Sequence, residues 1–151
     1  MRVNDVMTRN PAVCTATSSA QTAADLMKKH NTGMIPVVDD AYSRTLVGVV
    51  TDRDLCLAVV AAAREPMQVW VRDCMTPDPV FCAPEDKVEV ALAVMQKHQV
   101  RRVPVVDVHK TVHGVVSIGD LVRHNAVGNG ELFSALKKIF APKTRAAKKA
   151  A

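Results

Sequence analysis

The 151-residue chain is 48% hydrophobic and 23% charged, a composition typical of a globular protein of one domain or two small ones. Its longest uncharged apolar run (55–63) is too short to cross a bilayer and residues 1–10 lack a signal-peptide core, so we expect a cytoplasmic protein. The net charge of +5 resides in residues 131–151, which carry six basic residues and one acidic residue, so the high isoelectric point excludes nothing about the neutral body.

The first half of the chain predicts a β-α-β-β-α unit. A short strand at 12–15 precedes a helix over 19–30. The apolar face of this helix is formed by Ala20, Ala23, Ala24 and Met27. Two strands follow at 34–39 and 46–50, joined by a polar hairpin loop, and a second helix is expected from Thr51 to about Ala63.

The second half predicts the same order of elements. A strand at 79–82 and a helix at 85–98 are followed by strands at 102–107 and 112–116 and by a helix that begins at Ser117. The apolar face of the longer helix is formed by Val88, Ala91, Leu92 and Met95. We expect the apolar faces of both halves to cover the sheets as core.

A third segment, residues 128–151, is predicted to add one helix and a basic tail. Large apolar side chains fall on one face of that helix, namely Leu132, Phe133, Leu136, Ile139 and Phe140. Pro142 ends the helical pattern, and the basic residues after it are expected to be disordered. We expect the helix to pack on the body or on a second subunit. The alternative, contact with a membrane surface or with nucleic acid, has no basic patch on the body to extend it.

The two halves are copies of one sequence unit. With an offset of 68 residues, LMKKHNTGMIPVVDD (26–40) matches VMQKHQVRRVPVVDV (94–108). The offset then becomes 66, and GVVTDRDL (48–55) matches GVVSIGDL (114–121). A single copy would form only a marginal core, so we expect the two copies to pack against each other around a pseudo-two-fold axis.

The GVV segments end in a hydroxyl residue that is followed three positions later by an aspartate: Thr51 with Asp54, and Ser117 with Asp120. This spacing is a capping box, in which the hydroxyl and the carboxylate accept hydrogen bonds from backbone amides at the start of a helix. Such a cap needs no ligand. A carboxylate at a strand end also suits the two hydroxyls of a ribose, so the second interpretation is a ligand site formed at these junctions.

Two arginines stand where the first copy has neutral residues. Arg101 and Arg102 occupy the positions of Gly33 and Met34, directly before or at the start of a predicted strand. The planar guanidinium group matches the geometry of phosphate oxygens, so this pair is a candidate phosphate-binding element. The plain interpretation is a solvated strand end, and the spacing alone does not decide between the two.

The paired PVVD strands and the repeated GVV junctions resemble a tandem pair of CBS domains (a Bateman module) over roughly residues 3–126. The resemblance implies a mixed α+β or α/β fold of two β-α-β-β-α repeats, residues 1–66 and 67–127, plus the C-terminal helix. It also implies an adenine nucleotide whose ribose is held by one repeat and whose base and phosphate are held by the other. The first site implied in this way consists of Thr51, Asp54, Thr76, Val80, Arg101 and Arg102.

The resemblance implies a second, pseudo-equivalent site. Its residues are Ser117, Asp120, Ala12, Gly33 and Met34, with Thr8 as a further candidate. Because neither position 33 nor position 34 is basic, we expect this site to be empty or to take a ligand with little phosphate, such as a nucleoside or S-adenosylmethionine. Arg53 is assigned to neither site, since it can equally pair with a neighbouring aspartate.

Other chemistry finds little support in the sequence. The cysteines form no C-x-x-C pair and are expected as reduced thiols: Cys14, Cys56, Cys74 and Cys82. His109 and His113 have a spacing that binds metal on a helix, but they fall in a predicted hairpin, so we expect no metal site. No nucleophile–base pair or Gly-rich phosphate loop can be assembled from these motifs, so we do not expect an enzyme.

Two functional hypotheses from different classes follow. In the first, the chain is a regulatory module that senses AMP, ADP, ATP or S-adenosylmethionine, none of them as a catalytic cofactor, and controls an unidentified protein. In the second, it is a dimer scaffold with vestigial clefts and a recruiting basic tail. The two aspartates and the arginine pair favour the first. We also expect a homodimer, formed through exposed apolar helix surface at Ala58, Val59 and Ala62 and on the helix from Ser117.

Overall fold

The computed structural model describes residues 1–143, and the disorder predicted for the basic tail beyond them lies outside the described residues. The elements of the first half are α1 (Val3–Val6), β1 (Thr8–Arg9), β2 (Cys14–Thr15), α2 (Ala20–His30), β3 (Met34–Val38), β4 (Leu46–Thr51) and α3 (Asp52–Leu55). In the second half, two 3₁₀ turns (Pro66–Gln68 and Val71–Asp73) lead to β5 (Thr76–Pro77), α4 (Val88–His98), β6 (Arg102–Val106), β7 (Val112–Ser117), α5 (Ile118–Arg123) and α6 (Asn129–Ile139).

Helix α2 begins at a polar cap and ends in a left-handed residue. The Ser19 hydroxyl accepts a hydrogen bond from the Thr22 amide at 3.1 Å, and Asn31 ends the helix with φ 48°. The predicted apolar face is buried except at Ala24, which is exposed because it lies just outside the stripe that faces the sheet. The predicted apolar face of α4 is buried in full.

The helix predicted from Thr51 to Ala63 is not a continuous α-helix. It is α-helical at Asp52–Leu55 and continues as a π-helical turn at Cys56–Val60. The wider turn changes the angle between successive side chains and therefore which of them face outward. As a result, Ala58 and Val59, predicted to be exposed, are half-buried against the first-repeat core, and the large exposed apolar side chains of this turn are Leu57 and Val60.

Residues 79–82, which were predicted to form a strand, do not form one. Only one parallel bridge forms there, between Cys82 and Val105. The residues on either side include Pro79 and Pro84, which have no backbone N–H to donate to a neighbouring strand.

Each sheet receives an edge strand from the other repeat. Strand β1, from the start of the first repeat, pairs antiparallel with β7, and β5, from the start of the second, pairs antiparallel with β4. The resulting sheets have the orders β1-β7-β6 and β2-β3-β4-β5. The expected fold of two repeats plus a C-terminal helix is confirmed, and its two halves are interlocked. The boundaries 1–66 and 67–127 stay predictions about the sequence repeat.

A glycine permits each of these strand crossings. A Cβ on Gly48 would lie 2.7 Å from the Met75 sulfur and 3.0 Å from the Thr76 carbonyl oxygen. Gly114 meets the corresponding Met7 and Thr8 in the same way. The glycine of each GVV segment is therefore explained by close backbone approach.

The core consists of three hydrophobic clusters, and their composition reflects this exchange of strands between the repeats. The cluster of the second repeat includes Val3 and Val6 from the N-terminus, and that of the first repeat includes Val69 and Val71 from the linker. The third cluster joins the two hairpins through Val38, Leu46, Val106 and Val112. Within residues 1–143, no helix has the length and apolar character needed to span a membrane.

The C-terminal helix packs on the body, through a narrower face than predicted. Ala135 and Ile139 are buried in the second-repeat core, whereas Phe133 and Phe140 are 63% and 59% exposed. The two phenylalanine rings stay exposed because α6 contacts α4 through its small and aliphatic residues. Phe140 packs instead beside Arg101, in the loop that follows α4.

His109 and His113 were considered as metal ligands. In the part of the chain that the structure describes, neither belongs to a group of three or more side chains that could hold a metal ion. His113 belongs to β7, and its Nε2 lies 2.8 Å from Oδ2 of Asp107. This hydrogen bond, together with hydrogen bonds from the backbone amides of Thr111 and His109, lowers the pKa of Asp107 to about 2.

Candidate functional site

A cleft of about 520 Å³ lies where β4 ends, facing the start of β6 across the two repeats. All six residues predicted for the first site line this cleft: Thr51, Asp54, Thr76, Val80, Arg101 and Arg102. The volume falls within the range of roughly 300 to 1,000 Å³ that is usual for small-molecule pockets. The fold therefore brings the Asp54 carboxylate and the two arginines together in one concave site.

Thr51 and Asp54 form the predicted capping box at the start of α3. The Asp54 amide donates to the Thr51 hydroxyl at 3.2 Å, and the Thr51 amide donates to Oδ2 of Asp54 at 2.9 Å. Asp54 is half-buried, and among the hydrogen bonds of residues 1–143 none engages its Oδ1. The cap fixes the carboxylate and leaves one of its oxygens available to a ligand in the cleft.

The opposite wall carries the cations. Arg102 is the first residue of β6 and Arg101 lies directly before it, so the strand start places both side chains at the cleft. The guanidinium carbon of Arg101 lies 5.8 Å from the centre of the ring of Phe140, the residue directly after α6, and makes a cation–π contact with it. This wall can donate several hydrogen bonds to an anionic group.

Several lining residues were not predicted. Arg53, which the sequence left unassigned, lines the cleft, as do Asp52 and Asp78. Three more come from the end of α4 and from the C-terminal segment: His98, Gln99 and Lys143. The repeat alignment could have indicated Asp78, which follows Thr76, but no sequence signal connected residue 143 to residue 54.

A second cleft of about 350 Å³ lies at the equivalent junction of β7 and α5. Ser117, Asp120, Ala12, Met34 and Thr8 line it as predicted. Gly33, also predicted there, lines the first cleft instead. The reason is the pairing of β3 with β4, in which Met34 opposes Thr51 and the Gly33 carbonyl accepts a hydrogen bond from the Asp52 amide at 3.1 Å.

Asp120 in the second cleft is fully engaged by its own repeat. Its Oδ2 accepts hydrogen bonds from the amide and the hydroxyl of Ser117, each at 2.7 Å. Its Oδ1 accepts a hydrogen bond from the guanidinium of Arg123, and the residue is only 4% exposed. Both oxygens of Asp120 therefore already accept hydrogen bonds from residues of the second repeat.

The second cleft is also richer in cations than expected. The expectation considered only positions 33 and 34, whereas the cleft is lined by Arg9, Arg102 and Arg123. Arg9 arrives through the exchanged strand β1, and Arg102 lines both clefts because its side chain lies between them. The absence of a basic residue at 33 or 34 therefore does not make this cleft poor in positive charge.

The four cysteines are free thiols. Burial raises the pKa of Cys14 and of Cys82 to about 12. Burial also raises the pKa of Cys74, and the negative charge of Asp54 raises it further. These three thiols therefore stay neutral at physiological pH, and Cys74 brings no thiolate to the neighbourhood of the first cleft.

Comparison with known proteins identifies the repeat. The family model described as CBS domain matches the chain twice, at residues 3–61 and 71–126. The CBS domain-containing protein YhcV of Bacillus subtilis is 39% identical over 137 residues, which are 91% of this chain and 94% of that protein.

Two solved structures with bound adenosyl compounds are similar in fold. The CBS domain pair of protein MJ0100, in complex with 5′-methylthioadenosine and S-adenosyl-L-methionine, has a TM-score of 0.73 at 26% identity and covers 83% of this chain and 95% of its own. CBSX2 of Arabidopsis thaliana, in complex with AMP, has a TM-score of 0.69 at 31% identity and covers 82% of this chain and 95% of its own.

Proposed function

The chain belongs to the CBS-domain family as a tandem pair, and from this premise we propose that it is a regulatory module that binds an adenosyl ligand in the first cleft. The observation that carries the proposal is the pairing of the Asp54 carboxylate, which has one oxygen available, with Arg101 and Arg102 on the facing wall. A carboxylate suits the two ribose hydroxyls, and the guanidinium groups suit a phosphate.

The similar structures support this class of ligand. The MJ0100 pair holds 5′-methylthioadenosine and S-adenosyl-L-methionine, and CBSX2 holds AMP. The two arginines favour a phosphate-bearing adenosyl ligand, AMP, ADP or ATP, in the first cleft of this chain. The second cleft differs, because its carboxylate is already paired with Arg123, and we infer that it binds the same ligand more weakly.

The first experiment is a thermal-shift screen of the full chain with AMP, ADP, ATP and S-adenosylmethionine. A ligand that binds only the folded state raises the melting temperature by mass action. We expect at least one adenine nucleotide to do so. If none of the four compounds changes the melting temperature, the sensor hypothesis is wrong and the scaffold hypothesis takes its place.

The second experiment assigns the site by calorimetric titration of Asp54→Ala and Asp120→Ala. The two variants remove the same capping-box carboxylate from equivalent junctions, so each controls for loss of the cap in the other. We expect Asp54→Ala to weaken binding of AMP by about tenfold or more, which corresponds to the loss of a charge-assisted hydrogen bond. Asp120→Ala should leave the tighter binding event unchanged. Equal losses, or a loss in Asp120→Ala alone, would contradict the assignment.

A further inference from the structure

The chain returns to the first cleft after α6. Gln99, at the end of α4, donates hydrogen bonds from Nε2 to the carbonyl oxygens of Lys138 and Ala141 at 3.0 and 3.1 Å. These bonds satisfy carbonyl groups at the end of α6 and hold that end beside the start of β6. Lys143, two residues further on, then lines the cleft.

The same segment contacts the phosphate wall directly. The Phe140 ring lies against the guanidinium of Arg101, which itself lines the cleft. The C-terminal segment therefore contacts one of the proposed phosphate donors and adds a further cation, Lys143, to the lining of the same cleft. Two independent contacts, through Gln99 and through Arg101, fix where this segment lies.

The other charges in the cleft explain how the extra positive charge of Lys143 would affect phosphate binding. Besides Asp54, the lining includes the carboxylates of Asp52 and Asp78, which repel phosphate groups. The two arginines can hold one phosphate, but each additional phosphate adds negative charge near these carboxylates. A nucleoside polyphosphate therefore needs positive charge beyond the arginine pair, and the cleft lining supplies it in Arg53 and Lys143.

We propose that Lys143 binds the distal phosphates of a nucleoside di- or triphosphate, so that the C-terminal segment sets the preference of the first cleft for polyphosphates over monophosphates. This inference rests on the proposed function, since it names the ligand class of the same cleft. It assigns a role to the junction between α6 and the basic tail.

The test is calorimetric titration of the full chain with AMP and with ATP in magnesium-free buffer, in the wild type and in Lys143→Ala. The matched control is Lys137→Ala, which removes the same charge outside the cleft. Lys137 lies on α6, and its Nζ is 4.8 Å from the centre of the exposed Phe133 ring. We expect Lys143→Ala to weaken ATP roughly fivefold or more and AMP less than about twofold, since exposed charge pairs are partly screened. Lys137→Ala should change neither.

Two outcomes would overturn the inference: an unchanged ATP affinity in Lys143→Ala, or equal losses for ATP and AMP, which would indicate a structural effect. Inorganic triphosphate and inorganic phosphate, titrated in parallel, separate this inference from the proposed function. If the wild type binds neither nucleotide, the proposed function is wrong. A selective loss of triphosphate binding in Lys143→Ala would then still support the role of Lys143, and no loss would refute it.

Discussion

Asp54 and Asp120 occupy equivalent positions in two capping boxes, but their carboxylates are unequally available. Asp54 uses Oδ2 for the cap and is half-buried, whereas Asp120 uses both oxygens and is almost fully buried. The difference arises three residues after each aspartate. Arg123 pairs with Asp120, whereas the equivalent residue after Asp54 is Leu57. One side chain therefore distinguishes a carboxylate with an available oxygen from one whose two oxygens are both engaged.

Substitution of Arg123 tests this difference in stability. Arg123→Ala leaves the buried Asp120 carboxylate without its ion pair, and we expect the free energy of unfolding to fall by about 1 to 2 kcal/mol, a value limited by the exposure of the guanidinium. Arg53→Ala is the control, because Arg53 is exposed and should change the free energy by less than about 0.5 kcal/mol. Urea unfolding measures both, and equal effects would show that the Arg123 pair contributes nothing.

At the scale of elements, the two-residue strands β1 and β5 join the repeats. Each pairs with the last strand of the other repeat and brings lining residues to a cleft: Thr8 and Arg9 from β1, and Thr76 from β5. The glycine of each GVV segment lets the crossing strand approach the sheet. The geometry of the clefts therefore depends on packing at Gly48 and Gly114, although neither glycine lines a cleft.

Gly48→Ala should disturb this crossing. The added methyl group would clash with the Thr76 carbonyl as well as with the flexible Met75 side chain, so the exchanged strand has to shift. We expect a loss of about 1 to 3 kcal/mol in the free energy of unfolding, as for other overpacked sites. The control is Gly128→Ala, where an added Cβ has no neighbour within 4 Å. Urea unfolding curves that are the same for both variants would contradict the close-approach explanation.

At the scale of the whole molecule, apolar side chains remain exposed on the π-helical turn after α3 and on α5. Leu57 and Val60 of the π-helical turn are 53% and 74% exposed, and Val122 of α5 is 48% exposed. These side chains follow the capping box of each repeat, although they do not occupy equivalent positions: Val122 corresponds to Cys56, and Leu57 corresponds to Arg123. Apolar patches of this kind tend to mark association surfaces, and a two-fold dimer is the commonest way to cover them.

We therefore predict a homodimer through this surface. Light scattering should give about twice the chain mass of 16.3 kDa at tens of micromolar. Val60→Glu should shift the protein to the monomer, because a buried unpaired charge opposes association. Val108→Glu is the control, since Val108 is 93% exposed in the turn between β6 and β7, away from this surface. A monomeric wild type, or equal dissociation by both variants, would count against the prediction.

The residues that line the first cleft could be predicted in two ways. The hydroxyl–aspartate spacing predicts the capping box locally, and the resemblance to a CBS pair implies that Thr76, Val80 and the arginine pair lie opposite it. Gly33 was misplaced because the side on which a residue at a strand start lies depends on its pairing partner, and that pairing is between β3 and β4 of the same repeat.

The sequence by itself determined the two repeats, since their residues match at a nearly constant offset. It also determined the capping boxes and the apolar faces of α2 and α4, since each depends on short spacings along one segment. Only the tertiary structure decided the exchange of β1 and β5, the pairing of Arg123 with Asp120, and the return of Lys143 to the first cleft. The exchange and the return join segments far apart in the chain, and their geometry is set by how the repeats and α6 pack. The Arg123 pair is local, but a spacing of three residues does not reveal that Asp120 is buried and that Asp54 is not.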